Sequence, residues 1–211
     1  MATGIFSDKR AKISERTLRT DKWWLQPLIT FSVLFSFIVY ATWRAFEADH
    51  YFAEPLISPF YSPCLTASCP TGASLLGQPL GSGIIFGLAI SPALFILIFP
   101  LGFRMTCYYY RKAYYRSFWF SPPACAVAEP HKSYSGETKL PLIINNLHRY
   151  FFYFGLVFNV LLTIDAILAF RDPEGHWGHM SIGTLVLLLN AILLWGYSAS
   201  CHSCRHAVGG R

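Results

Sequence analysis

Four long apolar runs constrain this chain more than any other feature of its sequence. They lie at Trp24–Trp43, Ile84–Phe103, Leu147–Phe170 and Met180–Ser200. Each is close to the ~20 residues with which a helix crosses a hydrocarbon core about 30 Å thick. Runs of this length are unlike the alternating strands of about ten residues that build membrane barrels. The sequence therefore predicts an all-α integral membrane protein, a bundle of four transmembrane helices.

The composition supports a membrane protein. Charged residues make up 13% of the 211 residues, whereas a soluble domain has about 25%. The first 22 residues are polar and basic and lack the short apolar core and cleavage site of a signal peptide, so the first run is expected to stay as an anchor. We predict a basic N-terminal segment at 1–22 and a single transmembrane domain at 23–211.

The positions of Lys and Arg predict the orientation. Most of them lie in the N-terminal segment and in the loop between the second and third runs, and the other two loops contain only Arg44 and Arg171, both at helix ends. Cytoplasmic loops carry the excess of Lys and Arg. We therefore expect both termini and the middle loop in the cytoplasm. The net charge of +6 follows from this topology and gives no reason to expect nucleic-acid binding.

Two features of the outer half remain open at this stage. Cys64 and Cys69 lie in the long loop Arg44–Gly83 and can form a disulfide if the outer compartment is oxidising. Asp165 lies well inside the third run, and an intramembrane carboxylate is a functional-site hypothesis by default. The alternative is that Asp165 reaches the outer interface near Arg171.

The segment Arg104–Phe120 is rich in both aromatic and basic residues. At helical spacing Cys107, Tyr110, Tyr114 and Phe118 share one stripe, and the cations cluster elsewhere. That pattern predicts an interfacial helix with aromatic rings in the headgroup boundary and charged groups in water.

The tail contains two thiols and two imidazoles within six positions. The expected topology brings further cysteines and histidines to the same cytoplasmic face. The candidates on this face are Cys107, Cys125, Cys201, Cys204, His131, His148, His202 and His206. Cytosolic thiols seldom form disulfides, which favours a metal site over disulfides, and reduced structural thiols at a helix end are the alternative.

Three kinds of metal centre compete for these residues. Structural zinc prefers two closely spaced ligand pairs; Cys201-x-x-Cys204 is one pair, but Cys107 and Cys125 are not a matching second. A b-type haem needs histidines between spans, and only His148 is roughly placed for this. A Rieske-type [2Fe–2S] cluster needs two Cys and two His, which the chain has. Cys204-Arg205-His206 matches the Cys-x-His half of the soluble Rieske pattern, but the sequence has no Cys-x-x-His.

Four stretches resemble a known family. They are Met105–Arg116, Ala124–His131, Asn146–Phe152 and Ser200–His206. Together they resemble the haem-free membrane-anchor subunit of actinobacterial-type succinate dehydrogenase, and the likeness extends from Trp23 onward. Members of that family continue past the Gly-Gly-Arg into a further membrane helix. The resemblance therefore implies either a shorter subunit or a further helix that another small membrane subunit supplies.

The resemblance implies an electron path through a bacterial cytoplasmic membrane protein. A Rieske-type [2Fe–2S] cluster would pass electrons from flavoprotein and iron–sulfur subunits on the cytoplasmic side to menaquinone. We expect two cysteines and two histidines of the cytoplasmic set as ligands and no succinate site in this chain. An apolar recess would take the quinone, with candidate residues Tyr108, Tyr110, Trp119, Arg149 and Tyr150. The alternatives are a non-redox protein with structural zinc and a b-haem anchor.

Overall fold

A computed structural model describes most of the chain. The described residues are 17–67, 69–70, 76–77, 79, 84–85, 88–89, 91–130, 138, 140 and 142–209. The candidate ligand His131 and most of the basic N-terminal segment lie outside these residues.

The described residues are mainly helical. The helices are α1 Leu25–Glu47, α2 Pro92–Thr106, α3 Tyr108–Tyr114, α4 His148–Leu168, α5 Ile182–Ala199 and α6 His202–Ala207. A π-helical turn, Tyr115–Trp119, follows α3, and a 3-10 turn, Leu142–Leu147, precedes α4. The strands are β1 Phe52–Ala53, β2 Leu56–Ile57, β3 Ile84–Ile85 and β4 Leu88–Ala89, which pair antiparallel as β1 with β2 and β3 with β4.

Three helices in the described part of the chain are long and apolar enough to cross a membrane. They are α1, α5 and α4 together with its leading 3-10 turn, and the bent pair of α2 with the segment Tyr108–Trp119 makes a fourth if it counts as one broken span. The described part of the chain is therefore mainly helical, with three to four candidate spans, which agrees with the expected helical membrane protein.

The second apolar run is not one continuous helix, which corrects the sequence prediction. Its first residues form β3 and β4, and α2 begins at Pro92 and has 15 residues. Proline lacks the N–H that the first helical turn leaves unbonded, so it is well suited to begin a helix. The glycines at 83 and 87 disfavour helix before that point.

The predicted interfacial helix Arg104–Phe120 is divided into shorter pieces. Cys107 has extended backbone torsions between α2 and α3, and the π-helical turn then changes the helical phase. The stripe predicted from Cys107 through Phe118 therefore does not continue along one helix, because both breaks interrupt its period of 3.6 residues.

The chain divides into two compact units, and the division falls within α1 and α2. One unit contains residues up to 40 and residues 104–146. In this unit the ring centroid of Phe31 in α1 lies 4.8 Å from that of Phe118. The Leu18 N–H donates to the Ala126 carbonyl at 3.0 Å, which holds the segment before α1 against the loop that contains Cys125.

The other unit contains residues 41–103 and 147–211, and its centre is the hairpin of α4 and α5. Small residues such as Ala166 and Ala191 let these helices approach closely. A buried polar ladder joins them: Asn159 Nδ2 donates to Ser198 Oγ at 2.8 Å and to the Leu194 carbonyl at 3.3 Å. These bonds satisfy amide hydrogens that lipid could not.

Replacing Asn159 with Leu is expected to lower the free energy of unfolding of the subunit by about 0.6–2 kcal/mol, since interhelical hydrogen bonds in membranes are of that size. The measurement is unfolding in mixed micelles of the assembled complex. Thr163→Val is the matched control, because Thr163 lies nearer the edge of the ladder. Its hydroxyl donates to the Asn159 carbonyl and accepts from Trp195 Nε1. A larger loss for the Thr163 variant would contradict the central role of Asn159.

The long loop between α1 and α2 packs onto the same hairpin. A disulfide joins Cys64 to Cys69, which answers the question that the sequence left open. Leu56 contacts the start of α5 at Gly183, where a Cβ would lie 2.4 Å from the Leu56 methyl. Tyr61 Oη donates to the Arg44 carbonyl at 2.8 Å. These contacts hold the loop on the end of the hairpin at which α5 begins.

Candidate functional site: a histidine–cysteine cluster

The beginning of α4 and the end of α5 bring two candidate ligands together. His148 is the first residue of α4, and Cys201 lies between α5 and α6. His148 Nε2 lies 3.4 Å from Cys201 Sγ, although the two residues are 53 positions apart. Cys201 is buried and His148 is half-buried. The antiparallel hairpin explains this pairing, because it returns the chain to the end of α4 that contains His148.

Aromatic rings enclose this pair. The Phe103 ring stacks on the His148 imidazole, with centroids 5.1 Å apart and planes 11° from parallel. Tyr197 meets the same Phe103 ring edge-on at 5.5 Å, and Phe152 is almost fully buried beside it. We call His148, Cys201, Phe103, Phe152 and Tyr197 the His148 cluster. It combines a candidate nitrogen ligand and a candidate sulfur ligand with a largely buried aromatic wall.

Two glycines let the wall pack this closely. A Cβ at Gly155 would lie 3.2 Å from the Phe103 ring, and one at Gly102 would lie 2.3 Å from the Phe151 ring. The helices α2 and α4 therefore pack closely around Phe103, and a side chain at Gly102 would require the Phe151 ring to move. This packing fixes the ring that covers His148.

The rest of the tail forms a second pair of candidate ligands. His202 and His206 lie one turn apart on α6, with Nε2 atoms 2.9 Å apart, and both are exposed. Cys204 is half-buried and packs against the His148 cluster. Within this unit the described cysteines and histidines of the tail thus form two pairs and not one group of three or more.

The described part of the chain contains one group of three possible metal-binding side chains. It lies at the other end of the hairpin and includes two carboxylates. Asp172, Glu174 and His176 place ligand atoms within 4.8 Å of one another in the turn between α4 and α5. Glu174 and His176 are exposed. This turn is an ordinary polar connection, in which His176 N–H donates to Asp172 Oδ1 at 2.7 Å.

The other two candidate cysteines belong to the first unit. Cys107 is buried, and Cys125 is exposed in the loop after the π-helical turn. The candidate His131 lies outside the described residues.

The candidate quinone residues lie in both units. In the first unit Tyr108 is exposed on α3 beneath the Arg111 guanidinium, 5.1 Å from the ring centroid, and Tyr110 is half-buried. Trp119 is exposed and lies 6.0 Å from Tyr115. In the second unit Arg149 and Tyr150 follow His148 directly and are exposed. Exposed aromatic rings at both positions suit a membrane interface.

Sequence reasoning did not find the aromatic wall. Phe103, Phe152 and Tyr197 lie inside apolar runs, where each is one of many large side chains, and no local pattern marks them. It also missed Ser62, whose hydroxyl donates to Asp165 Oδ2. Asp165 is buried at 5% exposure and lies in the last turn of α4.

The residues in the second unit fit a mixed nitrogen and sulfur metal centre. Thiolate and imidazole are the ligands that iron–sulfur and zinc centres select. A half-buried imidazole facing a buried thiol, with a further cysteine and two further histidines on the next helical turns, provides the ligand types that a Rieske-type cluster requires.

The fold and this cluster define a class, a helical membrane protein with cysteine and histidine side chains at one end of its hairpin. A family model described as actinobacterial succinate dehydrogenase subunit SdhC matches residues 25–211, so the chain belongs to this family. It is a membrane-anchor subunit of succinate dehydrogenase.

A solved structure agrees with the family. A chain of the Mycobacterium smegmatis Sdh1 complex in the apo form is 52% identical, with a TM-score of 0.84. The match covers 100% of this chain and 78% of that chain. No curated protein sequence gives a significant match.

Proposed function

We propose that this subunit passes electrons from the cytoplasmic iron–sulfur subunit, itself reduced by a flavoprotein subunit, to menaquinone through a Rieske-type [2Fe–2S] cluster. The observation that carries the proposal is the approach of His148 Nε2 to Cys201 Sγ at 3.4 Å inside an apolar wall. When bound, such a cluster supplies a one-electron relay whose potential histidine ligation raises well above that of all-cysteine clusters.

The residues of the chain would hold and shield this group. We assign Cys201 and His148 as one ligand pair, and we take the remaining ligands from Cys204, Cys107, Cys125, His202, His206 and His131. Phe103 would keep the His148 ring in one orientation by stacking on it. Phe152 and Tyr197 would exclude water, and a low dielectric around a metal ligand tunes its potential.

Menaquinone would bind beside the same end of the hairpin. Arg149 and Tyr150 follow His148 on α4, so a guanidinium and a phenol are available there to donate hydrogen bonds to a quinone carbonyl. Tyr108, Tyr110 and Trp119 are the aromatic candidates in the first unit.

We propose that both termini and the 104–146 segment face the cytoplasm of the bacterial cell. The positive residues support this orientation. The Cys64–Cys69 disulfide supports it independently, because disulfides persist on the oxidising side of the membrane. The outer loop and the tail cysteines lie at opposite ends of the α4–α5 hairpin.

Replacing His148 with Gln is expected to remove the low-temperature EPR signal of a histidine-ligated [2Fe–2S] centre from the reduced complex, because glutamine cannot replace an imidazole ligand. The measurement compares dithionite-reduced complexes, with iron content determined on the same samples. His176→Gln is the matched control and should leave the signal unchanged, since His176 lies exposed in the distant turn.

Zinc and haem are the alternatives to the iron–sulfur cluster, and the same measurements distinguish them. A colourless subunit that contains zinc and gives no such signal would make the cluster structural, and a Soret band would indicate haem. An unchanged signal in the His148 variant would remove His148 from the ligand set.

A further inference from the structure

The outer end of the hairpin contains a buried carboxylate with a single described partner. Asp165 lies in the last turn of α4 and is 5% exposed. Among the described residues, the hydrogen-bond partner of its side chain is the Ser62 hydroxyl, which donates to Oδ2. A carboxylate left unsatisfied in an apolar setting is costly. The loop residue Ser62 therefore stabilises a group that its own helix cannot satisfy.

Ser62 is held in place by the segment that the disulfide closes. Ser62, Cys64 and Thr66 are fully buried, and Cys69 is 5% exposed. The Cys69 N–H donates to the Thr66 carbonyl at 3.1 Å, and the disulfide joins Cys64 to Cys69. On the other side of Ser62, Tyr61 stacks on Tyr51 with ring centroids 4.2 Å apart. The chain is thus anchored on both sides of Ser62, at Tyr61 and at Cys64.

We propose that the loop around the Cys64–Cys69 disulfide holds the buried carboxylate of Asp165, and we call this loop the latch. The disulfide acts on Asp165 through Ser62. The disulfide keeps the loop closed, the closed loop places the Ser62 hydroxyl on Asp165, and this hydrogen bond docks the outer loop onto α4. Losing the disulfide frees Ser62 and leaves the carboxylate without its donor. The disulfide and Asp165 are therefore energetically coupled through Ser62, and the His148 cluster takes no part in this coupling.

The latch makes a prediction that an ordinary disulfide does not. A disulfide that acts only by restricting the unfolded chain contributes the same stability whatever residue occupies position 165. A disulfide that acts through Ser62 contributes less once Asp165 is gone, because contacts in one network are not additive. The two accounts differ in a double-mutant cycle.

The first arm tests the hydrogen bond. The measurement uses the complete complex with an epitope tag on this chain. The midpoint temperature is the temperature at which heating has removed half of the tagged chain from the complex. Ser62→Ala is expected to lower this midpoint by about 3–10 °C, because it leaves a buried carboxylate unsatisfied. Adding Asp165→Leu should restore the midpoint to within about 2 °C, since removing both partners removes the unsatisfied group. No recovery would overturn the proposal.

The second arm tests the coupling to the disulfide. Changing Cys64 and Cys69 to Ala lowers the midpoint temperature in both backgrounds. We expect this drop to be at least about 3 °C smaller in the Asp165→Leu background than in the background with native Asp165. Ser181→Ala is the matched control background, because the Ser181 hydroxyl bonds within α5, where it caps the helix through Thr184. Equal losses in all backgrounds would overturn the proposal.

A failure to assemble is also informative. If the cysteine variant does not assemble, the amount of assembled chain replaces the midpoint as the readout. Recovery of assembly by Asp165→Leu supports the latch, and no recovery overturns it. None of these readouts depends on the metal centre or on quinone activity, so the test is independent of the proposed function.

Discussion

Replacing Cys201 with Ser is expected to abolish the histidine-ligated iron–sulfur signal and to lower succinate:quinone activity at least about a hundredfold. Changes one shell away from a metal already reduce affinity or activity by about 10–100-fold, and a serine oxygen is a much harder ligand than a thiolate. Succinate oxidation with a soluble dye acceptor should continue, because this chain contributes no succinate site in the proposal. The measurement is the ratio of the two activities.

The control for Cys201 is its neighbour. Ser200→Ala removes an exposed hydroxyl that donates to the Tyr197 carbonyl at 2.9 Å, and we expect both activities to stay at the level of the native complex. A Cys201 variant with the native ratio of quinone to dye activity would show that electrons do not pass through this cysteine.

Replacing Phe103 with Ala is expected to have the largest effect on stability, about 3–5 kcal/mol in the free energy of unfolding. Phe103 is 5% exposed and contacts His148, Phe152 and Tyr197 at once. Its removal opens a cavity and also releases the imidazole ring. The measurements are denaturant unfolding of the assembled complex and a redox titration of the iron–sulfur signal.

Two further variants separate packing from ring stacking. Phe103→Leu restores most of the volume and should recover much of the stability, while the midpoint potential should stay shifted because no ring covers His148. Phe99→Ala removes a half-buried ring that stacks on Phe154 at 4.3 Å, one turn earlier in α2. It should lower stability and leave the potential unchanged. A native potential in both Phe103 variants would rule out a positioning role for this ring.

The membrane class of this protein followed from the sequence alone. Apolar runs of about 20 residues admit few structures in lipid, because every backbone polar group must be bonded within its own segment. The excess of Lys and Arg on one side predicted an orientation, and the spacing of thiols and imidazoles in the tail identified candidate ligands. The long motifs around Cys107, Cys125, His148 and Cys201 were also sufficient to predict the family that the comparisons establish.

The extents of the elements were less predictable. Ile84–Phe103 is as apolar as the other runs, yet α2 begins only at Pro92. Hydropathy measures the preference for lipid and not the backbone conformation, so it does not distinguish a short hairpin from the first turns of a helix. The break at Cys107 and the π-helical turn also depend on local backbone geometry that residue spacing does not show.

The pairing of distant residues was decided by the tertiary structure. The sequence determined that thiols and imidazoles occur near the ends of apolar helices and that a carboxylate occurs within one of them. The antiparallel hairpin decided that His148 meets Cys201, and the packing of α2 against α4 decided that Phe103 covers the imidazole. The packed loop between α1 and α2 decided that Ser62 meets Asp165. The physical reason is that hydropathy and spacing act along the chain, whereas these contacts join residues 45–103 positions apart through the way the helices pack.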